Sequence, residues 1–299
     1  MRGTKKNKNP GQLSFDMLIP KETDRNFHLG GRSFYFFDFD DNVAFLSTPI
    51  IIFNKKTGAE VALSSGEFAH ENKSIGISGL YADFYMDFND ANGSFRHFRD
   101  KEFNPLEISS GKKQGFVEDI LKALKDVDTH WKAPSWEYFY HATYNNRPVS
   151  LITARGHHPS TIVEGVNQLV KAGYLPNAPN YHSIYPVSNP EVRKALGDIN
   201  FNQSVAELKK HAIRASVEKA IELYGYSPFH RFGMSDDDHK NIELITEEMR
   251  DLKRKYPEMS FFVIETFKDS FSKREVLINE TREIISAKES TKPQLSLFD

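Results

Sequence analysis

Three groups of oxygen-bearing side chains stand just beyond apolar runs in this chain. Asp38-Phe-Asp40-Asp41-Asn42 follows Ser33-Phe-Tyr-Phe-Phe37, Thr153-Ala-Arg155 follows Pro148-Val-Ser-Leu-Ile152, and Ser235-Asp-Asp-Asp238 follows Phe229–Met234. Carboxylates gathered from separate strand ends can hold a hard divalent cation such as Mg2+ through oxygen ligands. One Asp-x-Asp pair alone says little. Asp126-x-Asp128, for instance, sits at a helix end with no strand before it. The conjunction says more: acids after one strand, a threonine after a second, an acidic triplet after a third.

The elements that must position these groups follow from apolar spacing. Ser33–Phe37 is a continuous aromatic run, as expected for a strand buried on both faces of a parallel sheet. From about Pro148 the chain alternates strand and helix. The expected order is strand 148–152, helix 160–172, helix 204–224, strand 229–234, helix 240–256 and strand 260–266. Ser204 with Glu207 forms a capping-box pattern at the start of the second helix. Such alternation implies an α/β fold whose ligands bind beyond the carboxyl ends of the strands.

Residues 47–146 differ in texture. Ile50–Phe53 and Glu60–Leu63, joined by a Gly-containing turn, predict a hairpin; Leu80–Phe88 with Gly93–Phe98 predicts a second strand pair; 116–127 has helical spacing. Trp131, Trp136 and Tyr138-Phe-Tyr140 read as core of this insert. The expected division is a disordered basic arm at 1–12, a core of 13–46 plus 147–285, an insert at 47–146 and a polar tail at 286–299.

Helical phase selects between two neighbouring lysines. The apolar stripe through Val205, Leu208, Ala212, Ser216, Ala220 and Tyr224 includes position 209, so Lys209 rather than Lys210 is expected to face the crevice. Arg155, His157 and His158, just after Thr153, could touch substrate. His211, His230 and His239 read as packing or surface residues.

Taken together these segments resemble the haloacid-dehalogenase-like (HAD) phosphohydrolase superfamily. Phe36-Phe37-Asp38-Phe39-Asp40-Asp41-Asn42-Val43 is similar to its first motif, Leu151-Ile152-Thr153 to its second, Lys209 to its third and Gly233-Met234-Ser235-Asp236-Asp237-Asp238 to its fourth. The resemblance covers residues 30–46 and about 147–267. It implies a Rossmannoid parallel sheet flanked by helices, with 47–146 as a partly β, C1-type cap. It also implies an Mg2+-dependent phosphatase in which Asp38 attacks phosphorus and forms an aspartyl-phosphate. Asp40 would protonate the leaving oxygen and then activate water, Thr153 would bind a phosphoryl oxygen, and Lys209 would neutralise charge. Asp38, Asp40, Asp236 and Asp237 would form the metal site, with Arg155 and His157 contacting substrate. Two positions depart from the family pattern: Asn42 replaces Thr or Val, and Lys240 and Asn241 stand where a later acid is usual. The alternative is a weakly catalytic or non-catalytic HAD-like binding protein acting through its insert or tail.

The tail carries its own resemblance. Gln294-Leu-Ser-Leu-Phe298 is similar to the pentapeptide by which bacterial replication proteins bind the DNA sliding clamp, which makes that clamp an expected partner. Composition bounds the remaining possibilities. Lys and Arg number 39 against 41 Asp and Glu, a net charge of −2 that argues against broad nucleic-acid binding. The absence of cysteine excludes disulfides, thiolate zinc sites and cysteine nucleophiles. The basic start has no apolar run behind it and no stretch is long enough for a membrane span, so the cytoplasm is the expected compartment.

Overall fold

A computed structural model describes residues 20–288 apart from 90, 268 and 269. The arm at 1–12 and the Gln294–Phe298 motif lie outside the described residues. In chain order the elements are β1 (Ser33–Phe37), β2 (Ile50–Asn54), β3 (Glu60–Leu63), α1 (Ser65–Glu71), β4 (Phe84–Tyr85), α2 (Pro105–Ser109), α3 (Gly115–Ala123) and α4 (Trp136–Tyr144). There follow β5 (Pro148–Thr153), α5 (Pro159–Lys171), β6 (Asn180–Pro186), α6 (Pro190–Ala195) and α7 (Val205–Tyr224). The chain closes with β7 (Arg231–Asp236), α8 (His239–Lys255), β8 (Ser260–Phe267), β9 (Ser270–Val276) and β10 (Thr281–Lys288).

The fold is α/β. A seven-stranded sheet runs β10-β9-β8-β7-β1-β5-β6, and its five strands from β8 to β6 are parallel. Every residue of β1 is buried, which explains its unbroken aromatic run. Successive side chains point to opposite faces. Phe34 and Phe36 therefore join the apolar layer under α7 and α8, while Tyr35 and Phe37 join the opposite layer with Phe116, Phe139 and Ile162. Helices thus cover both faces, which is what a parallel sheet requires.

Trp131, Trp136, Tyr138 and Phe139 pack in that second layer against β1 and β5, not in a core of their own within 47–146. The expectation that they form the core of the insert is thus corrected: large aromatic side chains mark burial, but their type does not say against which element. Gly165 of α5 is required by this packing, since a Cβ there would lie 2.3 Å from the Phe116 ring. The expected hairpin forms as β2 and β3, turned at Gly58 with φ +69°.

The expected second strand pair does not form. Only Phe84–Tyr85 is a strand, pairing with β2, and Arg96–Phe98 is a 3-10 turn. Between them the Asp87 and Asn89 side chains accept backbone N–H groups from Asn89, Ala91 and Asn92. This local turn chemistry competes with strand pairing. At the other end, β9 and β10 extend the sheet as an antiparallel pair, so 286–288, expected at the start of the tail, are the last residues of β10. Among the described residues no helix is long and apolar enough to cross a membrane.

Candidate functional site

Asp38 is the first residue beyond β1, and Asp236 is the last of the neighbouring β7. Their strands hold them side by side, with the Asp38 N–H donating to the Ser235 carbonyl at 2.9 Å. Lys209, near the amino end of α7, bridges them: its Nζ donates to Asp38 Oδ2 at 3.0 Å and to Asp236 Oδ2 at 2.7 Å. Lys210 lies elsewhere, 3.7 Å from Glu247. The remaining oxygens are also oriented. Asp38 Oδ1 accepts from the Phe39 N–H at 2.8 Å, and Asp236 Oδ1 accepts from the Asp238 N–H and from Asn241 Nδ2, both at 3.0 Å. Asn241, which replaces an expected acid, therefore orients Asp236 as a donor.

Asp237 completes a cluster in which Asp38, Asp236 and Asp237 each offer an oxygen within 4.8 Å of the others. Among the described residues Lys209 is the one ammonium paired to the cluster, and both it and Asp236 are buried. Burial, reinforced by Asp236 and Asp40 and opposed by Lys209, pushes the Asp38 carboxyl up to about 7. Burial together with Asp38 and Asp236 pushes Asp237 up to about 9. Burial alone would lower Lys209, but its two carboxylate partners hold it above the ordinary lysine range. Crowded acids with raised protonation and an all-oxygen donor set fit a hard divalent cation.

Asn42 ties the site together. Its Nδ2 donates to the carbonyls of Asp38 at 3.0 Å and Ser235 at 3.1 Å. Its Oδ1 accepts from the hydroxyls of Ser135 and Ser235 at 2.9 Å and of Thr266 at 2.8 Å. The amide thus links the ends of β1, β7 and β8 to the segment preceding α4. Valine could make none of these bonds. Asn42→Val should lower the unfolding free energy by about 2–4 kcal/mol, because several buried polar groups lose their partner together. Urea unfolding measures this, and a change within about 0.5 kcal/mol would show that the hub is dispensable.

Asp40 departs from its expected place. Its carboxylate is not in the acidic cluster but accepts two bonds from Arg155, from Nε at 2.8 Å and Nη2 at 2.6 Å. Arg155 is fully buried between the rings of Phe98 and Phe116, 4.9 and 4.7 Å from their centroids. Its Nη2 also donates to Thr48 Oγ1 at 2.7 Å, and Thr48 donates to Asp119 at 2.5 Å. Arg155, read as a substrate contact, is thus the grip on Asp40. No local pattern could have revealed a pairing across 115 residues.

The other expected residues fall as follows. Thr153 is buried at the carboxyl end of β5, beside the strand that delivers Asp38. His157 is fully buried and pushed down to about 2 by burial and by Arg155 and Arg99, so it is a neutral ring rather than a cationic contact. His158 caps α5, its Nδ1 accepting from the Ser160 N–H. Asp238 caps α8 and is exposed. His230 is buried against Phe34 and Phe232, whereas His239 is exposed beside Glu265. Asp126, Asp128 and His130 also bring ligand atoms within 4.8 Å, but in a largely exposed turn where Asp126 accepts the N–H groups of the other two.

Compared with known proteins, the chain matches no family model, no curated protein and no solved structure. What bears on function is the site itself. Its chemistry is that of an oriented carboxylate backed by an ammonium, an acidic cluster suited to a cation, and a second carboxylate gripped by a guanidinium.

Proposed function

We propose that the protein is a HAD-like, Mg2+-dependent phosphatase, in which the β2–β4 part of residues 47–146 acts as the cap while Phe116 to Tyr144 cover the core sheet. The observation that carries this reading is the Lys209 bridge between Asp38 and Asp236, which joins three segments of distant sequence in one buried site. Asp38 is the nucleophile: a bond forms between its carboxylate oxygen and phosphorus as the bond to the leaving oxygen breaks. Phe39 N–H and Lys209 fix its two oxygens so that little reorientation precedes attack. Asp40, with both oxygens accepting from Arg155, is oriented as an acceptor in the resting structure. That suits the second step, in which it takes a proton from the water that cleaves the aspartyl-phosphate. Mg2+, held by Asp38, Asp236 and Asp237, would offset the repulsion between carboxylate and phosphate.

Phenyl phosphate is a suitable first substrate because its phenoxide leaves with little help from a proton donor. Phosphate should be released in Mg2+ and not in EDTA, and Asp236→Ala should raise the Mg2+ needed for half-maximal rate at least about tenfold. The Mg2+ requirement should fall as pH rises through about 7 and on towards 9, because the raised carboxyls of Asp38 and Asp237 must lose their protons to ligate a cation. Equal release in EDTA, or none at any Mg2+ concentration, would sink the proposal.

A further inference from the structure

Arg155 is oriented by more than the carboxylate it grips. Its Nε and Nη2 donate to Asp40, and Nη2 also donates to Thr48 Oγ1 at 2.7 Å. Its Nη1 meets no acceptor among the described residues. The ring centroids of Phe98 and Phe116, 4.9 and 4.7 Å from the guanidinium carbon, confine the cation between two apolar faces but supply no directional bond. Asp40 and Thr48 therefore set how the guanidinium is turned.

Thr48 has a single hydroxyl hydrogen, and it is committed. It goes to Asp119 Oδ2 at 2.5 Å, which leaves a lone pair of the same oxygen for Arg155 Nη2. Asp119 stands on α3 three positions after Phe116, so the two side chains share one helix face. Phe116 is itself seated by its close contact with Gly165. One helix face thus supplies a ring for the guanidinium and a carboxylate for Thr48. Thr48, Phe98, Phe116 and Asp119 all come from residues 47–146, while Asp40 and Arg155 follow β1 and β5. Thr48 and Arg155 are buried, whereas the Asp40 side chain is 24% exposed, so of these three Asp40 is the one a water can reach. Without the Thr48 hydroxyl, a buried Nη2 hydrogen would lose its acceptor. Turning the guanidinium to regain one would carry Asp40 with it, because two charge-assisted bonds join the pair.

We propose that Thr48 and Asp119 are positioning residues for the second half of the reaction, acting through Arg155 to hold Asp40 against the water that cleaves the aspartyl-phosphate. This rests on the phosphatase reading. In that step the water oxygen bonds to phosphorus, its proton passes to the Asp40 carboxylate, and the bond from phosphorus to the Asp38 oxygen breaks, which restores the Asp38 carboxylate. The first half makes a lesser demand on Asp40 when the leaving group departs without a proton.

4-Nitrophenyl phosphate in Mg2+ separates the two halves, since nitrophenolate needs no proton to leave. In Thr48→Val, which keeps the shape of the side chain without the hydroxyl, aspartyl-phosphate hydrolysis should slow about a hundredfold. Nitrophenolate should then appear in a burst larger than that of wild type, approaching one per protein molecule. The steady rate that follows should show kcat and KM lowered together and kcat/KM within about twofold of wild type. Thr48→Ser should restore the wild-type pattern. Asp119→Ala, which keeps the hydroxyl but frees its hydrogen, should move kcat and KM in the same direction by a smaller factor, and it tests the assignment even where Thr48→Val does not fold. A purely structural role would instead lower kcat through a smaller folded fraction, with KM unchanged and the burst reduced. That pattern, wild-type kinetics in Thr48→Val or Asp119→Ala, or no recovery in Thr48→Ser would overturn this assignment and leave the phosphatase reading standing. A wild-type protein that releases no nitrophenolate in Mg2+ would overturn the phosphatase reading, and this assignment with it.

Discussion

Asp38→Asn should reduce phosphate release from phenyl phosphate by at least about a thousandfold, equivalent to about 4 kcal/mol of activation free energy. The amide keeps the shape of the side chain and an oxygen for the Phe39 N–H. It lacks the anionic oxygen that the proposed attack on phosphorus needs. Asp236 is tied to Lys209, Asp238 N–H and Asn241, Asp40 is tied to Arg155, and Asp237, pushed up to about 9, is protonated at neutral pH. The same variant has a second, independent signature in stability. The Asp38 carboxyl is raised from 3.8 to about 7 in the folded protein, so between those values the folded state holds a proton that the unfolded state has lost. Stability contributed by this group is therefore present below about pH 4, falls as pH rises to about 7, and stays lost above. In EDTA the melting temperature of wild type should decline across that window, and Asp38→Asn should flatten the decline. A variant retaining more than about a tenth of the wild-type rate would remove Asp38 from the nucleophile's role.

What the sequence reveals about this molecule depends on how local the cause is. β1, β5, β7 and β8 are legible because strands buried on both faces must be apolar throughout, and their polar residues must begin where the sheet ends. The place of Lys209 is legible because helical phase relates it to buried Leu208 and Ala212 on its own helix. β6 is not, since Asn180–Pro186 alternates irregularly between buried and half-buried and carries Asn, His and Ser. β9 and β10 are equally hidden, because Ser270–Val276 and Thr281–Lys288 are strongly polar and owe their strand state to pairing with each other and with β8. Asn42 looks like a turn residue, and it does follow Asp41 at φ +56°, but its five bonds reach groups up to 224 positions away. The same holds for the Arg155 grip on Asp40. A residue's type can suggest a carboxylate partner, whereas the partner's identity is set only when the sheet closes.

The largest effect on stability should come from Lys209. Lys209→Met keeps most of the apolar stem but removes the ammonium that pairs with Asp38 and Asp236, both of them buried. Removing one member of a buried charged cluster is costly because the others remain without compensation, typically about 3–5 kcal/mol. At pH 8 in EDTA the variant should unfold at a urea midpoint lower by an amount corresponding to that loss. At pH 5 the difference should shrink, because Asp38 already favours its protonated form there and takes up a proton more readily once the lysine is gone. Added Mg2+ at pH 8 should recover part of the loss, since a cation bound to the folded state alone raises its stability by mass action. Calcium, with oxygen-ligand chemistry but looser geometry, is the natural comparison. Comparing Lys209→Met with wild type at both pH values, each with EDTA and with Mg2+, separates two roles for this residue. A loss that is the same at pH 5 and pH 8 and indifferent to Mg2+ would mean that Lys209 fills space between β1 and β7. A loss confined to high pH and relieved by Mg2+ would mean that it balances the acids where the cation is proposed to bind.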